Sequence, residues 1–298
     1  MMPETSLSID APAKINLYLH IVGRREDGFH LLDSLVAFAG IHDTLSLTSA
    51  SELSLKIDGP FADQLTAEPD NLVLQAARGL ARICGVDCGA HVQLTKRLPV
   101  ASGIGGGSSD AAATLKGLMQ LWEVQPDNQA LQALALELGA DVPVCLNGRA
   151  GFIGGIGEKI SEAGPLPLCS LVLVNPGVAT STPAVFKAQV QAQPGFSKPG
   201  RFDYAPEDVG ELVSILLSRN NDLDQAAQGL CPEIGLVLGT LEASQGALMA
   251  RMSGSGATCF ALFADPGEAA QATLDLAHKH PEWWVRAGSL EGDTSRPA

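Results

Sequence analysis

From Lys14 to Val22 apolar and polar side chains alternate. Ile15, Leu17, Leu19 and Ile21 fall on one face, and Lys14, Asn16, Tyr18 and His20 on the other, which predicts a half-buried strand. The same period returns at Leu45 and Leu47, then at Leu53, Leu55 and Ile57, so 43–58 reads as two strands around a turn. The period then lengthens. After Asp70, taken as a cap, Val73, Ala77, Leu80 and Cys84 recur at helical spacing. Val92 and Leu94 mark a short strand. The glycine-rich stretch from Pro99 to Gly107 leads into a second helix, with Ala112, Leu115, Met119 and Trp122 on its apolar face. Asp127 opens a third helix, which Gly139 closes in the C′ role. Further on, Leu168–Val174 is a continuous apolar run and predicts a buried strand. Residues 191–206 are rich in proline and glycine and read as a long loop. Helices are expected over 206–219, 232–245 and 267–279, a strand–glycine turn–strand in ALMARMSGSGATCFALF, and a last strand near Trp283–Ala287.

Strands and helices mix without a βαβα rhythm, which predicts an α+β fold rather than a doubly wound sheet. No repeat at solenoid periods occurs. A boundary near 158–166 divides the chain into an N-terminal domain, 1–162, and a C-terminal domain, 163–298.

Composition narrows the partners. In 298 residues, 46% are hydrophobic and 17% charged, which fits a globular chain with a sizeable core. There are 33 acidic and 19 basic residues, a net charge of −14. That balance disfavours nucleic acid or an anionic membrane as partner, and leaves room for a small anionic ligand at a local positive site. No apolar run approaches the ~18 residues of a membrane span. Glu4 and Asp10 precede the first basic residue, Lys14, a poor start for an export signal, so a cytoplasmic location is expected. The six cysteines form no CxxC pair and read as reduced, mostly core thiols.

The glycine stretch carries the strongest chemical signal. Glycines let the backbone curl so that several N–H groups meet one point, and the helix N-terminus behind them adds partial positive charge, a phosphate cradle. The plainer reading is a loop with Ser108 or Ser109 as N-cap. It is not a Walker A loop, because no Gly-Lys-Ser/Thr ends it, and GIGGGS lacks the last glycine of GxGxxG. Gly151–Gly157 and Gly254-Ser-Gly256 are read as approaching a ligand or as a bulged strand and a tight turn. Lys14 is a solvated edge residue or a functional cation, Asp141 a turn or N-cap aspartate or a functional carboxylate, and His30 a turn histidine or a ligand contact. No HxxxH or HxH spacing suggests zinc, and no G-x-S-x-G elbow appears.

Four segments occur together in chain order: Pro12-Ala-Lys-Ile-Asn16, the loop ending in Gly-Gly-Gly-Ser-Ser109, Gly139-Ala-Asp-Val-Pro143, and Ser253-Gly-Ser-Gly-Ala257. The set resembles the GHMP small-molecule kinases. Ala-Lys-Ile-Asn-Leu, followed by Arg-Glu-Asp-Gly-Phe-His30, is similar to the branch acting on a diphosphocytidyl alcohol of the non-mevalonate isoprenoid route. The resemblance is firm over 11–158 and looser to about 287. It implies an N-terminal domain of ribosomal-protein-S5-like topology and a C-terminal GHMP domain, with ATP and substrate meeting between them. It implies transfer of the ATP γ-phosphoryl group to the 2-hydroxyl of the cytidyl diphospho-alcohol, by a monomer or weak homodimer.

The same resemblance puts the catalytic pair on Lys14 and Asp141. It puts the ATP contacts on Pro99, Val100, Ala101, Ser102, Gly103, Ile104, Gly105, Gly106, Gly107, Ser108 and Ser109, with Asn71 near the adenine. Substrate contacts fall on Asn16, Phe29, His30, Thr182 and Phe186, an aromatic ring stacking on the cytosine. Asp141 is general base or only orients the hydroxyl. Mg²⁺ bridges phosphate oxygens with Ser108 a candidate ligand, and Lys14, Lys96 and Arg97 supply local positive charge. The alternatives are another GHMP kinase, with a mevalonate, homoserine or sugar substrate, and a catalytically silent nucleotide-binding protein. The Asp-Gly-Phe-His segment argues against the former, and the presence of Lys14 and Asp141 against the latter. The chain departs from the family pattern at Ala101 and Ser102, where glycines are common. Phe29 replaces a frequent Tyr, Gly155 a common Glu, and Asp110 a common Asn. Asp110 is read as a helix cap in preference to a Mg²⁺ ligand.

Overall fold

The computed structural model describes residues 6–65, 70–192 and 195–294. In chain order the elements are β1 (Leu7–Arg24), β2 (His30–Ala50), β3 (Ser54–Asp58), α1 (Leu72–Cys84), β4 (Gly89–Thr95), α2 (Gly106–Leu121), α3 (Asn128–Leu138), α4 (Val142–Asn147), β5 (Gly151–Gly155) and β6 (Lys159–Glu162). There follow β7 (Cys169–Asn175), α5 (Thr182–Ala192), α6 (Val209–Leu217), α7 (Asp224–Leu230), α8 (Glu233–Glu242), β8 (Ala247–Met252), β9 (Cys259–Phe263), α9 (Pro266–Lys279) and β10 (Trp284–Glu291). No described helix is long and apolar enough to cross a membrane.

Two compact units interleave along the chain. Among the described residues, the first takes those up to Ala13, in His42–Val100 and in Gly105–Gly148; the second takes Lys14–Ile41, Ala101–Ile104 and those from Arg149 onward. β1 and β2 therefore each contribute one part to each unit, and the glycine loop is divided between them.

In the first unit, β4 lies antiparallel to the second part of β2 and parallel to β3. The register pairs Leu45 with Leu94 and Leu47 with Val92, and all four are fully buried. Each such side chain contributes about 1.5–3 kcal/mol. Helix α1 is capped by Asn71, whose side chain accepts from the Val73 N–H, and ends at Gly85 in the left-handed region. The cap is thus one residue beyond the expected Asp70. Helix α2 is lined with small buried residues, Ala111, Ala112, Ala113 and Gly117. A Cβ on Gly117 would come within 2.7 Å of Leu47, so the absence of a side chain there lets the helix lie close on the sheet. Trp122, expected on its apolar face, lies just past its end. Gly139 ends α3 with extended backbone (φ 162°) rather than in the left-handed C′ conformation expected.

In the second unit, β10 joins the first part of β2 to β7, and β7, β9 and β8 continue the antiparallel run. β5 pairs with β2 at Leu32–Val36, and with β6. The expected strand at 168–174 is β7, buried along nearly its whole length. Leu19 and Ile21 of β1 join Val172, Val174, Ile234, Val237, Cys259 and Phe263 in one core. Gly151–Gly157 is strand β5 and the turn into β6, the plainer of its two readings. Helices α5 and α7 were not expected. α5 buries only Val185 and Gln189, and α7 is a seven-residue helix burying Ala227, so neither leaves a helical hydrophobic period. The expected loop at 191–206 starts later, because α5 runs to Ala192, and residues 193–194 lie outside the described residues.

Candidate active site

The polar face of β1 is buried. Lys14 is 4% exposed and Asn16 5%, which overturns the reading of Lys14 as a solvated edge residue. Lys14 Nζ donates to Asn16 Oδ1 at 2.8 Å, and Asn16 Nδ2 donates to Ser34 Oγ at 2.8 Å. Backbone of the same strand is tied to the middle of the glycine loop. The Lys14 N–H donates to the Ile104 carbonyl at 2.9 Å, and the Asn16 N–H to Ser253 Oγ at 3.1 Å. Ser253 Oγ in turn donates to the Gly103 carbonyl at 3.1 Å, and the Thr258 N–H to the Ser102 carbonyl at 3.0 Å. Gly103 has φ 77°, and a Cβ there would collide with the Ser253 carbonyl oxygen and with Gly256. Ala101 holds φ 50°, a left-handed conformation strained for any residue but glycine, which explains why glycine is common there.

The Ser253–Gly256 turn is thus locked into the loop. Asn221 Nδ2 bridges the Met252 and Gly254 carbonyls at 2.9 and 2.8 Å, and Thr180 Oγ1 donates to the Gly256 carbonyl at 2.5 Å. Thr182, at the start of α5, shares a 2.7 Å hydrogen bond with Ser255. In the same unit the His30 and Phe186 rings lie 5.0 Å apart, tilted by 31°. Burial, and secondarily Arg24, holds His30 below the usual histidine range. That shift favours the neutral imidazole, which has one donor and one acceptor nitrogen. Phe29 stands apart, 58% exposed on the turn between β1 and β2.

The first unit holds the remaining predicted residues. Gly105, at φ 62°, occupies the cap position of α2 without any side-chain cap bond. Ser108 and Ser109, read as possible caps, lie inside the helix, and Ser109 Oγ donates to the Pro12 carbonyl at 2.7 Å. The first N–H groups of α2 have no helical acceptor and carry partial positive charge. Gly107 is exposed, next to Leu72, and Asn71 beside it is buried as the cap of α1. Gly106 is buried rather than part of an open loop. Pro99 and Val100 lead into the loop from the same unit. Ser108 Oγ lies 3.9 Å from where a Cβ on Gly139 would sit, so the first turn of α2 borders the segment carrying Asp141. Asp141 opens α4 but makes no cap hydrogen bond, which removes the N-cap reading.

One cluster was not expected. Lys96 Nζ is buried between Asp43 Oδ2 at 2.5 Å and Asp110 Oδ2 at 2.6 Å. Asp43 Oδ1 also accepts from the Arg97 and Leu98 N–H groups at 2.5 and 2.8 Å. Burial raises the Asp110 pKa to about 7, with Lys96 pulling it down and Asp43 adding to the rise. Burial opposes the charge on Lys96, yet the two carboxylates outweigh it and its pKa is raised. Asp110 is therefore an ion-pair partner and not a helix cap, and the charge of Lys96 is matched by carboxylates rather than offered to a ligand. Nothing in the sequence around Asp43 signals this role. Among the described residues no group of three or more His, Cys, Asp or Glu is placed to hold a metal ion.

Comparison with known proteins follows the same lines. The family model described as "GHMP kinases N terminal domain" matches residues 71–149, and "GHMP kinases C terminal" matches 206–282. A 4-diphosphocytidyl-2-C-methyl-D-erythritol kinase of Paramagnetospirillum magneticum is 51% identical over 96% of this chain and 99% of its own. That of Rhodospirillum rubrum is 50% identical over 96% of this chain and 93% of its own. A crystal structure of 4-(cytidine 5'-diphospho)-2C-methyl-D-erythritol kinase superposes with a TM-score of 0.77 at 33% identity, covering 96% of this chain and 100% of that one.

Proposed function

The chain belongs to the GHMP kinases and, within them, to the 4-diphosphocytidyl-2-C-methyl-D-erythritol kinases, and from that premise we propose that it moves the γ-phosphoryl group of ATP to the 2-hydroxyl of 4-diphosphocytidyl-2-C-methyl-D-erythritol. The hydroxyl oxygen bonds to the γ-phosphorus as the bond to the β,γ-bridging oxygen breaks. ADP leaves, and the hydroxyl proton passes to Asp141 or, where Asp141 only orients the hydroxyl, to solvent. Phosphoryl transfer asks the protein mainly for positioning and for charge neutralisation.

The observation that carries this reading is the buried Lys14–Asn16 pair, whose backbone N–H groups donate to the Ile104 carbonyl of the glycine loop and to Ser253 Oγ of the Ser253–Gly256 turn. The residues from Pro99 to Ser109 hold the ATP phosphates through backbone N–H groups, and Asn71 lies by the adenine. Asp141 accepts the hydroxyl proton, a role worth typically 10²–10⁴-fold, or orients that hydroxyl. Lys14 holds the reacting groups. Asn16 and Thr182 contact the substrate, and Phe29, His30 and Phe186 take the cytosine by stacking and hydrogen bonding. Mg²⁺, a hard cation suited to oxygen ligands, supplies charge neutralisation when bound with the ATP phosphates, and the Ser108 hydroxyl is the group in α2 fitted to it. The division at 1–162 and 163–298 leaves one family-model match on each side. A cytoplasmic monomer or weak homodimer accompanies this reading.

An ADP-release assay on purified protein tests it. The cytidyl diphospho-alcohol should support turnover, and mevalonate and homoserine should not. Comparable turnover on mevalonate would overturn the substrate assignment.

A further inference from the structure

Asn16 has two chemically opposite ends, and something must decide which one meets Lys14. An amide oxygen toward the ammonium accepts a hydrogen bond; an amide nitrogen there sets donor against donor. The deciding group is Ser34, on β2 opposite Ile153 of β5 and 1% exposed. Its hydroxyl has one proton, which goes to the Tyr18 carbonyl at 2.5 Å. Its oxygen is then left only as an acceptor, and Asn16 Nδ2 fills that role at 2.8 Å. With Nδ2 committed, Oδ1 must turn toward Lys14 Nζ, where it lies at 2.8 Å. The chain is buried throughout, so no water is at hand to replace a lost partner.

Ser34 is also held firmly. Its neighbour Asp33 is 3% exposed and accepts from the Tyr18 hydroxyl at 2.9 Å, the Gly200 N–H at 2.7 Å and Arg201 Nε at 2.8 Å. We infer that Ser34 is a positioning residue for phosphoryl transfer: by fixing the orientation of the Asn16 amide it fixes the ammonium of Lys14. The inference rests on Lys14 acting in the reaction as proposed above. Ser34 acts through Lys14 and through Asn16, itself a proposed substrate contact, so its effect belongs in kcat and in the KM of the acceptor alcohol and not in the KM of ATP.

Steady-state kinetics with ATP and 4-diphosphocytidyl-2-C-methyl-D-erythritol, with the thermal midpoint read on the same preparations, tests this. Ser34→Ala should lower kcat about tenfold per folded molecule and leave the KM for ATP within about twofold. Ser34→Thr keeps the hydroxyl and should restore most of the rate. Ser34→Cys, nearly the same shape with a poor acceptor, should lower the same parameter and serves if the alanine variant folds badly. Asn16→Asp supplies the control. A carboxylate presents oxygen whichever way it turns, so adding Ser34→Ala to Asn16→Asp should cost no further kcat. Lys14→Met separates the two levels. If it abolishes turnover while Ser34→Ala and Ser34→Cys keep parental kcat, Ser34 has no positioning role. If Lys14→Met itself turns over normally, the assignment of Lys14 fails and the inference with it. A Ser34→Ala loss that persists undiminished in the Asn16→Asp background also overturns the amide argument.

Discussion

Two buried lysines in this chain are oriented by different kinds of group. Lys96 sits between two carboxylates, with side-chain exposures of 2% for the lysine, 0% for Asp43 and 4% for Asp110. Lys14 hydrogen-bonds an amide, which in turn hydrogen-bonds a hydroxyl. The difference lies in what a lost partner leaves behind. Removing one ion from the first cluster strands uncompensated charge in the interior, which shows as stability. Removing one neutral group from the second leaves the same net charge in a less defined place, which shows as rate. A buried lysine is thus a sign of function only once its partners are known, and proximity to the glycine-rich segment does not decide it. Lys96 Nζ lies 3.2 Å from where a Cβ on Gly106 would sit, and its charge is matched all the same.

The sharpest way to break this contrast is Lys96→Met. It leaves Asp43 and Asp110 facing each other without their cation and should cost about 3–5 kcal/mol in denaturant unfolding. A loss below about 1 kcal/mol would show the cluster to be incidental. The smaller effect is pH-dependent. The folded pKa of Asp110, about 7, lies above its ordinary 3.8, so between these values the native state holds a proton that the unfolded chain releases. Stability from this group is full at low pH and is lost as pH rises through the folded value. The thermal midpoint of the parent should therefore fall more between pH 5 and pH 8 than that of Asp110→Asn, which cannot titrate. Parallel curves for the two proteins would remove Asp110 as the titrating group.

Much of the architecture was legible because it is local. The alternation along β1, the apolar run of β7 and the Asp-capped helix α9 each carry their period in a few consecutive residues. The first part of β2 does not. Leu35 to Ala39 are all buried, so the strand shows no alternation to read. The interleaving of the two units, which cuts β1 after Ala13 and β2 after Ile41, has no local mark at all. Among the candidate site residues, the glycine stretch, Lys14, Asp141 and the Ser253–Gly256 turn stand out in the sequence through residue type and order. The role of Asp110 was misread for a definable reason. If Ser108 or Ser109 were the cap, Asp110 would lie in the first turn, but α2 begins at Gly106 and places it a full turn deeper, over Lys96. Asp43 and Lys96 are 53 positions apart, and Ser34 reads as one polar residue before an apolar run. Their meaning comes only from the partners that folding supplies.

Asp141→Asn tests most directly the proposal that the chemistry rests on Asp141 and Lys14 while the Lys96 cluster serves stability. The substitution keeps the shape of the side chain and removes its charge and basicity. Turnover, ATP affinity and thermal midpoint are measured on one preparation. Turnover should fall by roughly 10²-fold or more, with ATP affinity and midpoint near the parent values, because the side chain makes no cap bond to α4. A well-folded Asp141→Asn protein with near-parental turnover would contradict the account.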